Sequence, residues 1–155
     1  MRKYAVLLTV LLLAQTGGAA EEKRAVGIIL GSPTGLSVKW WTKPSVAWDG
    51  AVGWDVGGDG FFYLHADYLL HNRDVVRKMD LEAAVTEGEL LFYYGLGGRL
   101  EAGDNSRLGG RLPLGLEYFF ADVPLQGFIE IVPLLDLLPK TAFRFQGGIG
   151  IRYLF

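Results

Sequence analysis

From residue 26 to the last residue, apolar side chains recur at every second position in short runs separated by turn residues. That period belongs to β-strands, which turn successive side chains to opposite faces. Turn signals divide the run into eight predicted strands, at 26–31, 36–41, 46–55, 61–70, 90–101, 110–120, 125–132 and 142–155. The first two are short. Most of the others have the roughly 9–11 residues that a tilted membrane-spanning strand requires. Ser32-Pro33-Thr34-Gly35 reads as a tight turn, with proline fixing φ and glycine free to take a positive value.

The two faces of these strands differ in kind. Trp48, Val52 and Trp54 oppose Ala47, Asp49 and Ala51; Phe62, Leu64 and Tyr68 oppose Tyr63, His65 and Asp67. Leu112, Leu114, Leu116 and Tyr118 likewise oppose Arg111, Pro113, Gly115 and Glu117. One face thereby collects Lys39, Arg99, Arg111, Arg144 and Arg152 with Asp49, Asp67, Glu101, Glu117 and Glu130. In a soluble sandwich that face would meet water and the apolar face would form the core. Three features favour the reverse. The chain stops on a strand closing in Tyr153-Leu154-Phe155, and the second face is broadly apolar. The aromatics Trp40, Trp48, Tyr68, Tyr118, Phe120, Tyr153 and Phe155 fall near one rim, where a girdle would sit at a membrane interface.

The expected fold is therefore all-β, an eight-stranded antiparallel up-and-down transmembrane β-barrel with apolar residues outward and charges inward. Eight strands leave a lumen just wide enough to be filled by side chains. Charges enclosed there must pair, because an isolated one would cost several kcal/mol. The ten charged residues above thus predict an ion-paired plug, with a narrow gated pore lined by the same charges as the alternative.

The first twenty residues stand apart. Arg2 and Lys3 precede an apolar run over 4–14, then Gly17-Gly18-Ala19-Ala20 and the charged Glu21-Glu22-Lys23-Arg24. This is the layout of a secretory signal peptide, with cleavage expected after Ala20 and a barrel domain over 21–155. The apolar run is shorter than the roughly 20 residues of a membrane-spanning helix, which argues against an anchor. Removing 1–20 takes Arg2 and Lys3 and no acid, moving the formal charge from −2 to −4. No basic stripe remains for nucleic acid. With no cysteine, disulfides and thiolate metal sites are excluded. The 22 glycines suit strands that must coil into a narrow barrel.

Candidate chemistry is sparse. His65 and Asp67 share a face with Tyr63, and Ser37 and Ser45 are the nearest candidate nucleophiles, but no Gly-x-Ser-x-Gly elbow occurs. A lumen histidine bonded to its neighbours is the simpler reading, and His71 reads as an interfacial polar residue. Two histidines among scattered carboxylates form no recognisable metal site. Gly95-Leu96-Gly97-Gly98 has no following helix signal and so is not a nucleotide loop. Neither a catalytic residue nor a cofactor is expected. The outer loops predicted at 32–35, 56–60, 102–109 and 133–141 are short, leaving little material for a substrate pocket. The longest connection, 72–89, belongs at the end shared with the termini. It either extends the flanking strands or carries a short helix within 75–85.

The ending Ile149, Ile151, Tyr153, Phe155 resembles the C-terminal signature of bacterial outer-membrane proteins that the barrel-assembly machinery reads. With the leader and the strand count, the chain resembles small eight-stranded barrels of the OmpA, OmpX and OmpW type. Four segments carry a closer likeness: GIILGSPTGLS at 27–37, LHADY at 64–68, YYGLGGRL at 93–100 and GGIGIRY at 147–153. They are similar to a family of small uncharacterised outer-membrane β-barrel proteins. The resemblance implies an outer-membrane location reached through the Sec pathway, lipid as surroundings, and passage via periplasmic chaperones and the barrel-assembly machinery. It implies no ligand and no catalytic residues. The roles it leaves open are a structural or surface-interacting barrel, a pore or carrier for small or hydrophobic molecules, and a lipid-modifying hydrolase.

Overall fold

The computed structural model describes residues 23–54, 62–85 and 87–155, without the side chains of Glu82 and Ala84. The expected leader and its cleavage site lie outside the described residues, as does the predicted loop 56–60. Nine strands follow in order: β1 (Arg24–Gly31), β2 (Gly35–Lys43), β3 (Val46–Trp54), β4 (Phe62–Asn72), β5 (Glu89–Ala102), β6 (Arg107–Arg111), β7 (Leu114–Phe119), β8 (Leu125–Leu138) and β9 (Ala142–Leu154). Strands β6 and β7 are two halves of one wall position, since each pairs with β5 on one side and β8 on the other. The wall thus has eight antiparallel positions.

The ring closes between the first and last strands, where Val26 faces Tyr153, Ile28 faces Ile151 and Leu30 faces Ile149. The Phe155 amide donates to the Arg24 carbonyl at 2.9 Å and the Arg24 amide to the Phe155 carbonyl at 3.2 Å. Closure removes the unpaired strand edges that an open sheet would present.

The connection between β4 and β5 lies at the same end as Arg24 and Phe155. It contains the short helix α1 (Arg73–Lys78), where the Asp74 amide donates to the capping Asn72 side chain, and a 3-10 turn over Leu81–Ala84. Both expectations for this segment are partly met, since β4 also runs on to Asn72.

Three stretches differ from the sequence reading. The expected loop 133–141 is mostly strand, because β8 continues to Leu138 and only 139–141 turn. Pro133 had signalled a stop. Yet it faces the break between β6 and β7, where regular pairing is already interrupted and its missing N–H removes little. Its carbonyl still accepts from the Leu112 amide at 3.0 Å. Pro113 sits in the same break, so the predicted strand 110–120 is divided there. The expected loop 102–109 contracts to 103–106 as β5 and β6 extend.

Alternation governs burial. Ser37, Lys39 and Trp41 are buried while Leu36, Val38 and Trp40 are exposed, and β3 and β4 repeat the scheme. The exterior is apolar: Leu96 is 65% exposed, Ile131 60% and Phe145 69%. Trp40, Trp48, Tyr68, Phe120, Tyr153 and Phe155 are all exposed, and a second aromatic set, Trp54, Phe62, Phe143 and Phe145, surrounds the opposite end. Phe145 and Tyr153 lie on one strand at opposite rims. At about 3.3 Å per residue and a tilt of about 40° the two sets are roughly 20 Å apart, near the apolar height of a membrane barrel.

Adjacent glycines on β5 test the alternation. A Cβ on Gly97 would run into the Asp67 carboxylate and the Ala66 carbonyl, whereas one on Gly98 would meet nothing nearer than the Gly109 carbonyl at 3.8 Å. Gly97→Ala is expected to lower stability by about 1–3 kcal/mol, read from the urea midpoint of the refolded barrel. Gly98→Ala should leave the midpoint within error.

Candidate functional site

The most unusual region of the molecule is its interior. Odd-numbered residues of β2 to β7 and even-numbered residues of β8 and β9 turn inward, which places ionisable side chains from every wall position except β1 in one tube. Lys39, Asp49, Asp67, Arg99, Arg111, Glu117, Glu130 and Arg152 are buried. Glu101 and Arg144 lie at the mouth opposite the termini, with side chains 14% and 47% exposed.

Nearest the termini, the Lys39 ammonium donates to Glu117 and stands 4.9 Å from the Trp41 ring centre and 4.6 Å from that of Tyr93. The Arg152 guanidinium donates to Asp49 at 2.6 Å and to the Ser37 hydroxyl at 2.8 and 2.9 Å, with Phe128 stacked 3.8 Å away. In the middle, Arg111 holds Asp67 at 2.9 Å and Glu130 at 3.3 Å, and donates to the Tyr63 hydroxyl at 2.7 Å. Tyr93 donates to Glu130 at 3.0 Å, joining the middle group to the ring stack below. At the mouth, Arg99 bridges Glu101 at 2.9 Å and Asp136, Arg144 holds Asp136 at 2.9 Å, and Arg107 holds Glu101 at 3.2 Å. Six cations thus face six carboxylates among the described residues.

Two members of this set, Asp136 and Arg107, were missed because both fell within predicted loops. Continuing the even-numbered face of β8 past Pro133 would have found Asp136. His71 needs correcting outright. Its side chain is 2% exposed inside the barrel, with Nε2 3.2 Å from Glu117 and Nδ1 3.3 Å from the Ser45 carbonyl. It follows Leu69 on the inward face, so extension of β4 by two residues carries it into the lumen.

Asp49, His65 and Asp67 present three ligand-type atoms within 4.8 Å of one another. The hydrogen bonding around His65 does not suit a cation there. Arg111 lies 2.8 Å from His65 Nδ1, and a guanidinium can only donate. The proton of the neutral ring therefore belongs on Nε2, directed toward Asp49 at 3.7 Å and Asp67 at 3.8 Å. That nitrogen has no lone pair left for a metal. Ser37 is similarly engaged, because its hydroxyl accepts from Arg152.

Ile149, Ile151, Tyr153 and Phe155 all point outward from the closing seam and are exposed. The N-terminal β-barrel domain of Pseudomonas aeruginosa OprF, a solved structure, is similar to this chain with a TM-score of 0.51 at 15% identity. The match covers 86% of this chain and 96% of that one. This likeness, with the closed ring, establishes a small eight-stranded β-barrel. No family model and no curated protein matches the chain, so the closer family likeness rests on its quoted segments alone.

Removing one partner of a buried pair leaves an uncompensated charge. Arg111→Leu is expected to cost about 3–5 kcal/mol, and Arg111→Leu with Asp67→Asn to recover part of that loss. Urea unfolding of the refolded barrel reads both, and equal losses in the single and double variants would refute the pairing.

Proposed function

We propose that this chain is exported by its leader through the Sec pathway and inserted into a bacterial outer membrane as a lumen-closed barrel. Its role is structural or surface-interacting. Periplasmic chaperones and the barrel-assembly machinery would handle it in transit, and lipid would surround it afterwards. The observation that carries the reading is the inversion of burial. Among the described residues, twelve polar or charged ones are buried while thirty large apolar side chains are exposed. In water that arrangement would leave an apolar surface far larger than monomeric soluble proteins carry. In a bilayer the same surface is the solvated one.

What supports a closed lumen over a pore is the interlocking of Lys39, Glu117, Arg152 and Asp49 with Tyr93 and Phe128 across the tube. Opening a path would mean parting paired charges in a low-dielectric interior. The engagement of Ser37 by Arg152, and of His65 by Arg111, weighs against a hydrolase built on those residues.

The refolded chain should migrate differently on gels before and after boiling, and it should fractionate with the outer membrane rather than the soluble periplasm. In planar bilayers it should show no reproducible single-channel steps; steady unitary conductance would refute the closed lumen and favour the pore.

A further inference from the structure

The charges inside the barrel balance as a whole but not along its axis. Below the mouth, the cations Lys39, Arg111 and Arg152 face four carboxylates, Asp49, Asp67, Glu117 and Glu130. Among the described residues, Arg99, Arg107 and Arg144 at the mouth pair with Glu101 and Asp136. Among these described lumen residues the mouth group holds one carboxylate fewer than its guanidiniums, and it surrounds a cavity of about 460 Å³. Among the described residues, its three guanidiniums line this cavity with Glu101 as the lining carboxylate, and Asp136 pairs with Arg99 and Arg144.

The arginines have capacity left. Among the described residues, Arg144 engages Asp136 through Nε and Arg107 engages Glu101 through Nη1. A guanidinium carries five N–H donors in a fixed plane, so each keeps a forked pair or more for an incoming oxygen. Both side chains are partly exposed, at 47% and 29%, and so are reachable. The floor adds a donor, since Gln146, whose Oε1 accepts from the Tyr63 hydroxyl at 3.0 Å, keeps its Nε2 amide for an incoming oxygen. Leu134 supplies apolar wall inside the mouth, and Trp54 and Phe145, exposed on the outer face, edge its rim. The volume lies in the range of small-molecule sites, which combine apolar lining with a few convergent polar groups.

We propose that the mouth binds an oxyanion, a phosphate or carboxylate group carried by a small amphipathic molecule. The group sits between Arg107 and Arg144, and its apolar part lies against Trp54 and Phe145. Glu101 competes with it for Arg107 and Arg99. The anion comes either from a lipid headgroup reaching over the rim or from a soluble molecule. This gives the surface-interacting role a chemistry, and it rests on the membrane reading only for the lipid source.

The test is titration calorimetry of inorganic phosphate into the refolded full barrel at low ionic strength. Saturable one-to-one binding is expected, weakened about tenfold or more by Arg107→Gln with Arg144→Gln. Glu101→Gln should tighten it, and Arg73→Gln, at the opposite end, should leave it unchanged. A heat-modifiable barrel with no saturable binding, binding that survives loss of both arginines, or weaker binding in Glu101→Gln would each overturn the site. Repeating the titration in phosphatidylcholine vesicles with and without phosphatidic acid identifies the source. Weaker phosphate binding beside phosphatidic acid supports a lipid headgroup, and equal binding supports a soluble anion. A chain that binds phosphate in detergent but will not enter vesicles would overturn the membrane reading and leave the site standing.

Discussion

A charge inside a tube eight strands wide has no bulk water to turn to, so it must find an opposite charge within reach of one side chain. That requirement orders the interior of this protein. Arginine dominates the cations because one planar guanidinium can serve two or three acceptors at once, as Arg111 does for Asp67, Glu130 and Tyr63. Lys39, a point charge, is satisfied by one carboxylate and two ring faces. Breaking any one contact would strand a partner, so the pairs hold the strands across the lumen as well as along the wall.

Space is managed by a second pairing, of glycine with bulk. A Cβ on Gly115 would meet the ring of Tyr93, one on Gly150 would meet Phe128, and one on Gly97 would meet Asp67. Large inward side chains lie against missing ones on the adjacent strand. The abundance of glycine beside aromatics thereby acquires a local reason: the wall is thinned where the filling is thick. With Phe128 seated in this way, Arg152 can stack on its ring while reaching Ser37 and Asp49.

Much of the architecture was legible because the strand period is two and admits no drift. Once Asp49 or Arg99 is assigned inward, every second neighbour follows. Legibility failed where proline and glycine were given their usual meaning as stops. Pro133 reads as the end of a strand, but its effect depends on what lies across from it, and only the fold puts the β6–β7 break there. Asp136 was lost with it, one of the five charges at the mouth. The partners of each charge were also beyond reach. Alternation says that Lys39 and Glu117 both face inward, but not that they meet, because strand tilt and register decide which residues share a level. The likeness to a solved barrel at 15% identity carries the architecture and none of these pairs.

The seam between β1 and β9 has a kinetic meaning as well as a geometric one. It joins Val26 to Tyr153, almost the two extremes of the described chain. Contacts of such sequence separation form slowly, since nearly the whole loop must be gathered before they return any energy. Until β9 has docked on β1, the sheet has two raw edges. The barrel therefore cannot be completed from its first strand outward as the chain emerges. It remains an unfinished, association-prone sheet until β9 pairs with β1.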